Sequence, residues 1–213
     1  MSDLLPDQAA HQRLAGSSAS HGDVPPAARI FGLNRQRWLP TIVVAAIIAG
    51  VVLGGMGLDD VIAAPSAGTV TVGGSVTITA APGWILAPTR GDASPGIELQ
   101  KSDAVLTAEV VSTSYSGSSA SMLPDQESAL SGDSAQISYG GVNQALISGH
   151  DSTYVAFEAT VSSGHRSGIV DGELVCMVVD GNAVVVVAAA PQGDLDPVVD
   201  DVSAMIKSVG VGG

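Results

Sequence analysis

Leu174-Val175-Cys176-Met177-Val178-Val179-Asp180-Gly181-Asn182-Ala183-Val184-Val185-Val186-Val187-Ala188-Ala189-Ala190 is the stretch that decides the fold. Two continuous apolar runs flank Asp180-Gly181. That dipeptide suits a type I′ turn, in which both central residues take positive φ. The stretch therefore predicts a hairpin, and its apolar character on both sides makes these the central strands of a sheet.

The pattern changes on the C-terminal side. Asp196-Pro197 opens a helix whose Val198, Val202, Met205, Ile206 and Val209 recur at helical spacing, with Lys207 in the last turn and Gly210 beyond it. This helix must cover the sheet. Upstream, Val155, Phe157, Ala159 and Val161 alternate with polar residues, which predicts a strand with one wet face over 153–161, and Asn143 to Ser148 reads as another strand. Pro124-Asp125-Gln126-Glu127 carries first-turn helix chemistry and follows a Ser/Gly-rich loop over 112–121.

Further upstream, Ile97 and Leu99, then Leu106, Ala108 and Val110, alternate on either side of Lys101-Ser102-Asp103, which predicts a second hairpin. From Thr69 to Thr79 the apolar residues Val70, Val72, Val76 and Ile78 keep one unbroken period of two. A two-residue turn at Gly73-Gly74 would set Thr71 opposite Val76, so the expectation is a single strand bent or bulged at the glycines. Antiparallel strands punctuated by a helix in the middle and one at the end describe an α+β domain over 69–213.

The N-terminal part has a different character. From Leu39 to Leu58 no residue is charged, and Ile42 to Leu53 is continuously apolar or small. About 20 helical residues at roughly 1.5 Å each span about 30 Å, the thickness of a bilayer's hydrocarbon. Trp38 suits the headgroup region and Pro40 the first helical turn, so residues 38–58 read as a transmembrane helix. Arg29, Arg35 and Arg37 precede it, while no basic residue occurs between Trp38 and Thr89, which keeps the N-terminus in the cytoplasm. Four basic and three acidic residues precede the span, a net +1; four basic and eighteen acidic follow it, a net −14. The acidic part is exported.

A cleaved signal peptide is the competing reading. It would need an unusually long charged region, and the small-residue site at Ala63-Ala64 is followed by Pro65, so a retained anchor is expected. Residues 1–37 lack any periodic apolar pattern and read as a disordered cytoplasmic tail, and residues 59–68 as a tether. Ala46, Gly50 and Gly54 recur every four residues, giving the span a face on which two helices could pack as a homodimer.

Composition narrows the function. A formal charge of −13 over 213 residues removes the basic surface that nucleic acid requires. The one cysteine, Cys176, cannot form an intramolecular disulfide and reads as a small buried hydrophobe. Nucleophilic hydrolysis would draw on His150 or His165, the two histidines beyond the span. Yet G-x-S-x-G, S-x-x-K and H-E-x-x-H are all absent, and side chains adjacent in a strand point apart. Asp194, Asp196, Asp200 and Asp201 lack calcium-loop spacing and are explained by the positive end of the last helix. No metal, cofactor or catalytic residue is expected. Trp84, after Ala81-Pro82-Gly83, either plugs the core or lines a groove beside the sheet.

The opening strand ending in Pro82-Gly83-Trp84, the hairpin through Lys101, and the closing run VDGNAVVVVAAAPQGDLDPVVDDVSAMIKSV together resemble the Mog1/PsbP-like domains. Among them the chain looks most like the actinobacterial membrane-anchored and lipoprotein members. The resemblance covers roughly Thr69 to Val209 and rests on element order and on the final Met205-Ile206-Lys207-Ser208 helix. It implies an α/β/α sandwich that binds or assists other components, in some members large protein assemblies and in others envelope lipid-transport machinery. A transmembrane anchor stands here in place of a lipobox cysteine.

The sequence therefore points to a single-pass membrane protein whose exported domain binds an envelope protein or a lipid-linked partner without catalysis. The alternatives are a cell-envelope hydrolase using His150 or His165, and a purely structural oligomeric anchor.

Overall fold

The computed structural model describes residues 68–87, 96–131, 135–163 and 166–212. The tail, the span with Ala46, Gly50 and Gly54, most of the tether, and His165 lie outside these residues. Among the described residues no helix is long and apolar enough to cross a membrane.

The deciding stretch folds as the centre of a large antiparallel sheet. Strands β1 (Thr69–Val72), β2 (Val76–Thr79), β3 (Ile85–Leu86), β4 (Gly96–Lys101) and β5 (Ala104–Ser112) lead to helix α1 (Ser119–Leu130). Then come β6 (Ala135–Tyr139), β7 (Asn143–Ile147), β8 (His150–Ser163), β9 (Arg166–Val179) and β10 (Asn182–Pro191). A 3-10 turn (Asp196–Val198), helix α2 (Val199–Lys207) and β11 (Gly210–Val211) close the chain. The large sheet runs β3-β4-β5-β10-β9-β8, and both β6 and β7 pair with β8 at its edge. β9 and β10 join through Asp180 (φ 46°) and Gly181 (φ 76°), with Val179 opposite Asn182, as the Asp-Gly signal predicts.

Alternation along β10 builds two cores. Val184, Val186, Ala188 and Ala190 point to one face, where they join Leu106, Val175, Met177 and Trp84 beneath Val202, Met205 and Ile206 of α2. Ala183, Val185, Val187 and Ala189 point to the other, with Leu174, Cys176 and Phe157 and with Met122, Leu123 and Leu130 of α1. The two helices thus cover opposite faces of one sheet, as its doubly apolar centre demands. The small sheet β1-β2-β11 supplies Val72, Val76 and Ile78 to the α2 side. The result is a sheet-rich α+β fold.

Three expectations are corrected. Residues 69–79 form a hairpin, not a single bent strand: Val72 lies opposite Val76 and Val70 opposite Ile78 across a three-residue turn, 73–75. An odd-length loop preserves the side-chain phase that a two-residue turn would invert, and Gly73 (φ 57°) and Gly74 (φ 91°) supply the positive φ it needs.

The middle helix begins at Ser119, inside the stretch expected to be loop, and carries Pro124 within it rather than in its first turn. Its start is held from afar. The Ser119 backbone N–H donates to Asp151 Oδ2 at 2.7 Å, a cap that comes from β8.

Finally, β8 and β9 are each 14 residues long, well beyond the apolar runs, and β3, β6 and β11 are additional strands. Cross-strand pairing extends them through Gly168, Asp171, Gly172 and Glu173, where no periodic signal exists.

Candidate binding surface

Trp84 is fully buried at the end of the α2-side core. The turn Pro82-Gly83, with Gly83 at φ 80°, swings the indole inward, and its Nε1–H donates to Asp201 Oδ2 at 3.1 Å. Lys101 Nζ reaches the same oxygen at 2.6 Å and the Pro82 carbonyl at 3.3 Å. Asp201 therefore does more than complement the helix dipole: it ties α2 to the β4–β5 turn and to the core tryptophan. Hydrogen bonds from Lys101 first and Trp84 second hold its carboxyl below the usual aspartate range.

The His150 neighbourhood is occupied by structural bonds. Asp151 turns onto the α1 N-terminus, and the buried Ser119 Oγ lies 2.7 Å from Thr153 Oγ1. The His150 carbonyl accepts from Ser152 Oγ at 2.9 Å. Alternation along β8 places Asp151 and Thr153 on the α1 face and Ser152 on the other. Cys176 is fully buried, and desolvation, with a smaller contribution from the charge on Glu127, pushes its thiol up to about 12. A thiol in that state stays protonated and unreactive at neutral pH.

The α2-side face of β8 and β9 beyond Tyr154 is open to solvent. Ala156, Glu158 and Thr160 are exposed there on β8, and Ile169 is 41% exposed on β9. Glu158 lies directly opposite Asp171, and Glu173 opposite Ala156. Like charges in direct opposition destabilise a sheet. Two donors offset this in part: Gln192 Nε2 reaches Glu158 at 3.5 Å and the Gly193 N–H reaches Asp171 at 3.2 Å. Burial raises the Glu173 carboxyl above its ordinary value. A shallow depression at the end of this face is lined by Thr160, Ser167, Gly168, Ile169 and Gln192.

Sequence reasoning named Trp84, both histidines and the wet side of β8, but it did not bring Ile169, Asp171 and Glu173 of β9 beside that side. The residues of this face come together only through the β8–β9 register, and half of them lie in a stretch without apolar alternation. Among the described residues no group of three or more His, Cys, Asp or Glu is arranged to hold a metal ion.

No protein-family model and no curated protein matches the chain. Solved structures do. The chain is similar to the solution structure of cyanobacterial PsbP from Synechocystis, with 14% identity over 75% of this chain and 100% of that one, and a TM-score of 0.46. It is similar to a mutant of Mog1, with 10% identity over 66% of this chain and 93% of that one, and a TM-score of 0.45. LpqN of Mycobacterium tuberculosis, described as involved in cell envelope biogenesis, shares 14% identity over 65% of this chain and 83% of its own, with a TM-score of 0.41. These are likenesses of fold between dissimilar sequences, and they include the Mog1 and PsbP types that the closing hairpin and helix resemble.

Proposed function

We propose that the chain is a single-pass membrane protein whose domain from residue 69 onward stands outside the cytosol and acts as a non-catalytic binding or accessory module for an envelope protein or lipid-linked partner. The uncharged run Leu39 to Leu58 supports the anchor, and the arginines before it support the orientation. The observation that carries the binding role is the uncovered sheet face on which Glu158 opposes Asp171 beside exposed Ile169. An unfavourable pair kept on an open face is the kind of local conflict that proteins retain where a surface meets something else. Its chemistry fits a partner that brings a cationic or hydrogen-bond-donating group to the carboxylates and an apolar group to Ile169.

A photocrosslinking amino acid at Thr160, in full-length protein in intact cells, tests the reading. The proposal expects a discrete adduct that disappears when Glu158→Lys and Ile169→Lys are added, with membrane recovery unchanged. No adduct, or one indifferent to both changes, would remove this face as the binding surface.

A further inference from the structure

β7 is the outermost strand over the first part of β8, and among the described residues no strand pairs with its outer flank. Edges of this kind are normally blunted by lysine, proline or another charge. Here none is present: from Ala135 to Gly149 the chain has no Asp, Glu, Lys, Arg or Pro, although the whole protein carries −13. Asn143 to Leu146 are exposed. Leu146 is 75% and Val142 54% exposed, higher than the other exposed large apolar side chains, Val199 at 51% and Val211 at 45% among them.

Val142 and Leu146 are four residues apart with Gln144 midway, so in extended chain all three share one face. An antiparallel pairing about a two-fold axis through Gln144 sets Leu146 of each copy opposite Val142 of the other, and Gln144 opposite itself. Each exposed apolar group then gains an apolar neighbour, and the two amides can bond to each other across the axis.

We infer that β7 is a homodimerisation edge, where two copies of this chain join their large sheets through an antiparallel β7–β7 pair centred on Gln144. Electrostatics do not oppose a second copy at this edge, because 135–149 carries no charge. The nearest acidic side chain in register is Asp151, opposite Leu146 on β8. In the dimer the two Asp151 residues are offset by three strand spacings across the sheet, about 14 Å, and by four residues along it, about 13 Å, so they lie well beyond the Debye length of about 8 Å at physiological salt. Elsewhere the acidic surface repels its copy. The extra residue between β6 and β7, where 139–143 spans four steps against three on β8, keeps the free edge short. The pairing is therefore weak in dilute solution and is favoured by high local concentration. It stands independently of the partner-binding face and of the direction of the membrane span.

Single-cysteine crosslinking of the full-length protein tests this, because buried Cys176 contributes little background. Under copper-phenanthroline oxidation, Gln144→Cys brings two thiols to a Cα separation of about 5 Å, within disulfide range, and is expected to dimerise at least about tenfold faster than Ala145→Cys or the remote Asp103→Cys. Chains carrying Val142→Cys mixed with chains carrying Leu146→Cys should crosslink to each other. Adding Leu146→Lys, a change at an exposed site, should abolish the Gln144→Cys dimer. Dimerisation of Gln144→Cys no faster than Asp103→Cys, fastest reaction at Ala145→Cys, or capture of a different protein by Gln144→Cys would each overturn the inference.

Discussion

Phe157 lies across the backbone of Gly172: the two are directly opposed on β8 and β9, and a Cβ at Gly172 would stand 2.2 Å from the ring's Cζ and 2.7 Å from the Ala188 carbonyl oxygen. The ring could swing away, but the backbone oxygen belongs to a central strand and cannot. Gly172→Ala is therefore expected to cost about 2–3 kcal/mol, as overpacking a close-packed core does. Phe157→Ala should cost about 3–5 kcal/mol through the cavity it leaves. Chemical denaturation of both single variants and the double variant checks this. The two costs should fall short of additivity, because removing the ring relieves part of the crowding at Gly172.

The cap from Asp151 predicts a local effect. Asp151→Ala leaves the Ser119 N–H without its carboxylate and should destabilise the protein by about 1 kcal/mol, the usual cost of losing a helix cap. Amide exchange should rise first over 119–122, with β10 unchanged. Asp151→Asn, which keeps an acceptor oxygen, should recover much of the loss.

At the other end of the core, Asp201→Ala removes the acceptor for the Trp84 indole N–H as well as the partner of Lys101. An orphaned donor on a buried ring costs about 1–3 kcal/mol. The ion pair itself contributes less, since both side chains are about a third exposed (34% and 29%) and an exposed pair is worth about 0–1 kcal/mol. Lys101→Met should therefore be milder than Asp201→Ala in thermal melts, and Asp201→Asn should fall between them.

These groups also give opposite pH responses. The Asp201 carboxyl is held low in the folded state, so its contribution is fully present above the unfolded aspartate value, about 3.9, and is lost as pH falls toward its folded value. Burial raises Glu109 and Glu173 above their ordinary values. For these two the folded state binds the proton more tightly, so they favour folding at low pH and oppose it once pH rises through their folded values. Glu109→Gln and Glu173→Gln should raise Tm at pH 7, with the gain fading below about pH 4, where unfolded glutamate is itself protonated. Asp201→Asn should lower Tm at pH 7, and that loss should fade at low pH.

The centre of the fold was legible because its signals are local. Asp180-Gly181 sets its own turn geometry, and Val202, Met205 and Ile206 mark the buried side of α2 by spacing alone. What escaped depends on distant partners. α1 starts at Ser119 because Asp151 arrives from β8, and the 73–75 turn could be recognised only by the parity of a three-residue loop. The strand over 166–173 has Gly168, Gly172, Asp171 and Glu173 in place of an apolar rhythm, and it becomes a strand because β8 pairs with it throughout. The open acidic face and the uncharged β7 edge follow from that register. Asp201 was legible as a helix-start acid, but its role as the acceptor for Trp84 needed β4, α2 and the 82–83 turn in one place.

The central claim, an exported and anchored domain, is tested most directly by thiol labelling of whole cells. Cys176 is buried and protonated, so Ser114→Cys, at an exposed loop position, gives the full-length protein one reactive thiol. A membrane-impermeant maleimide should label it to the same extent in intact cells made permeable only at the outer layers as in lysed cells, with the labelled protein recovered in the membrane fraction. Labelling that appears only after the cytoplasmic membrane is broken, or a labelled product recovered free of the membrane, would contradict the claim.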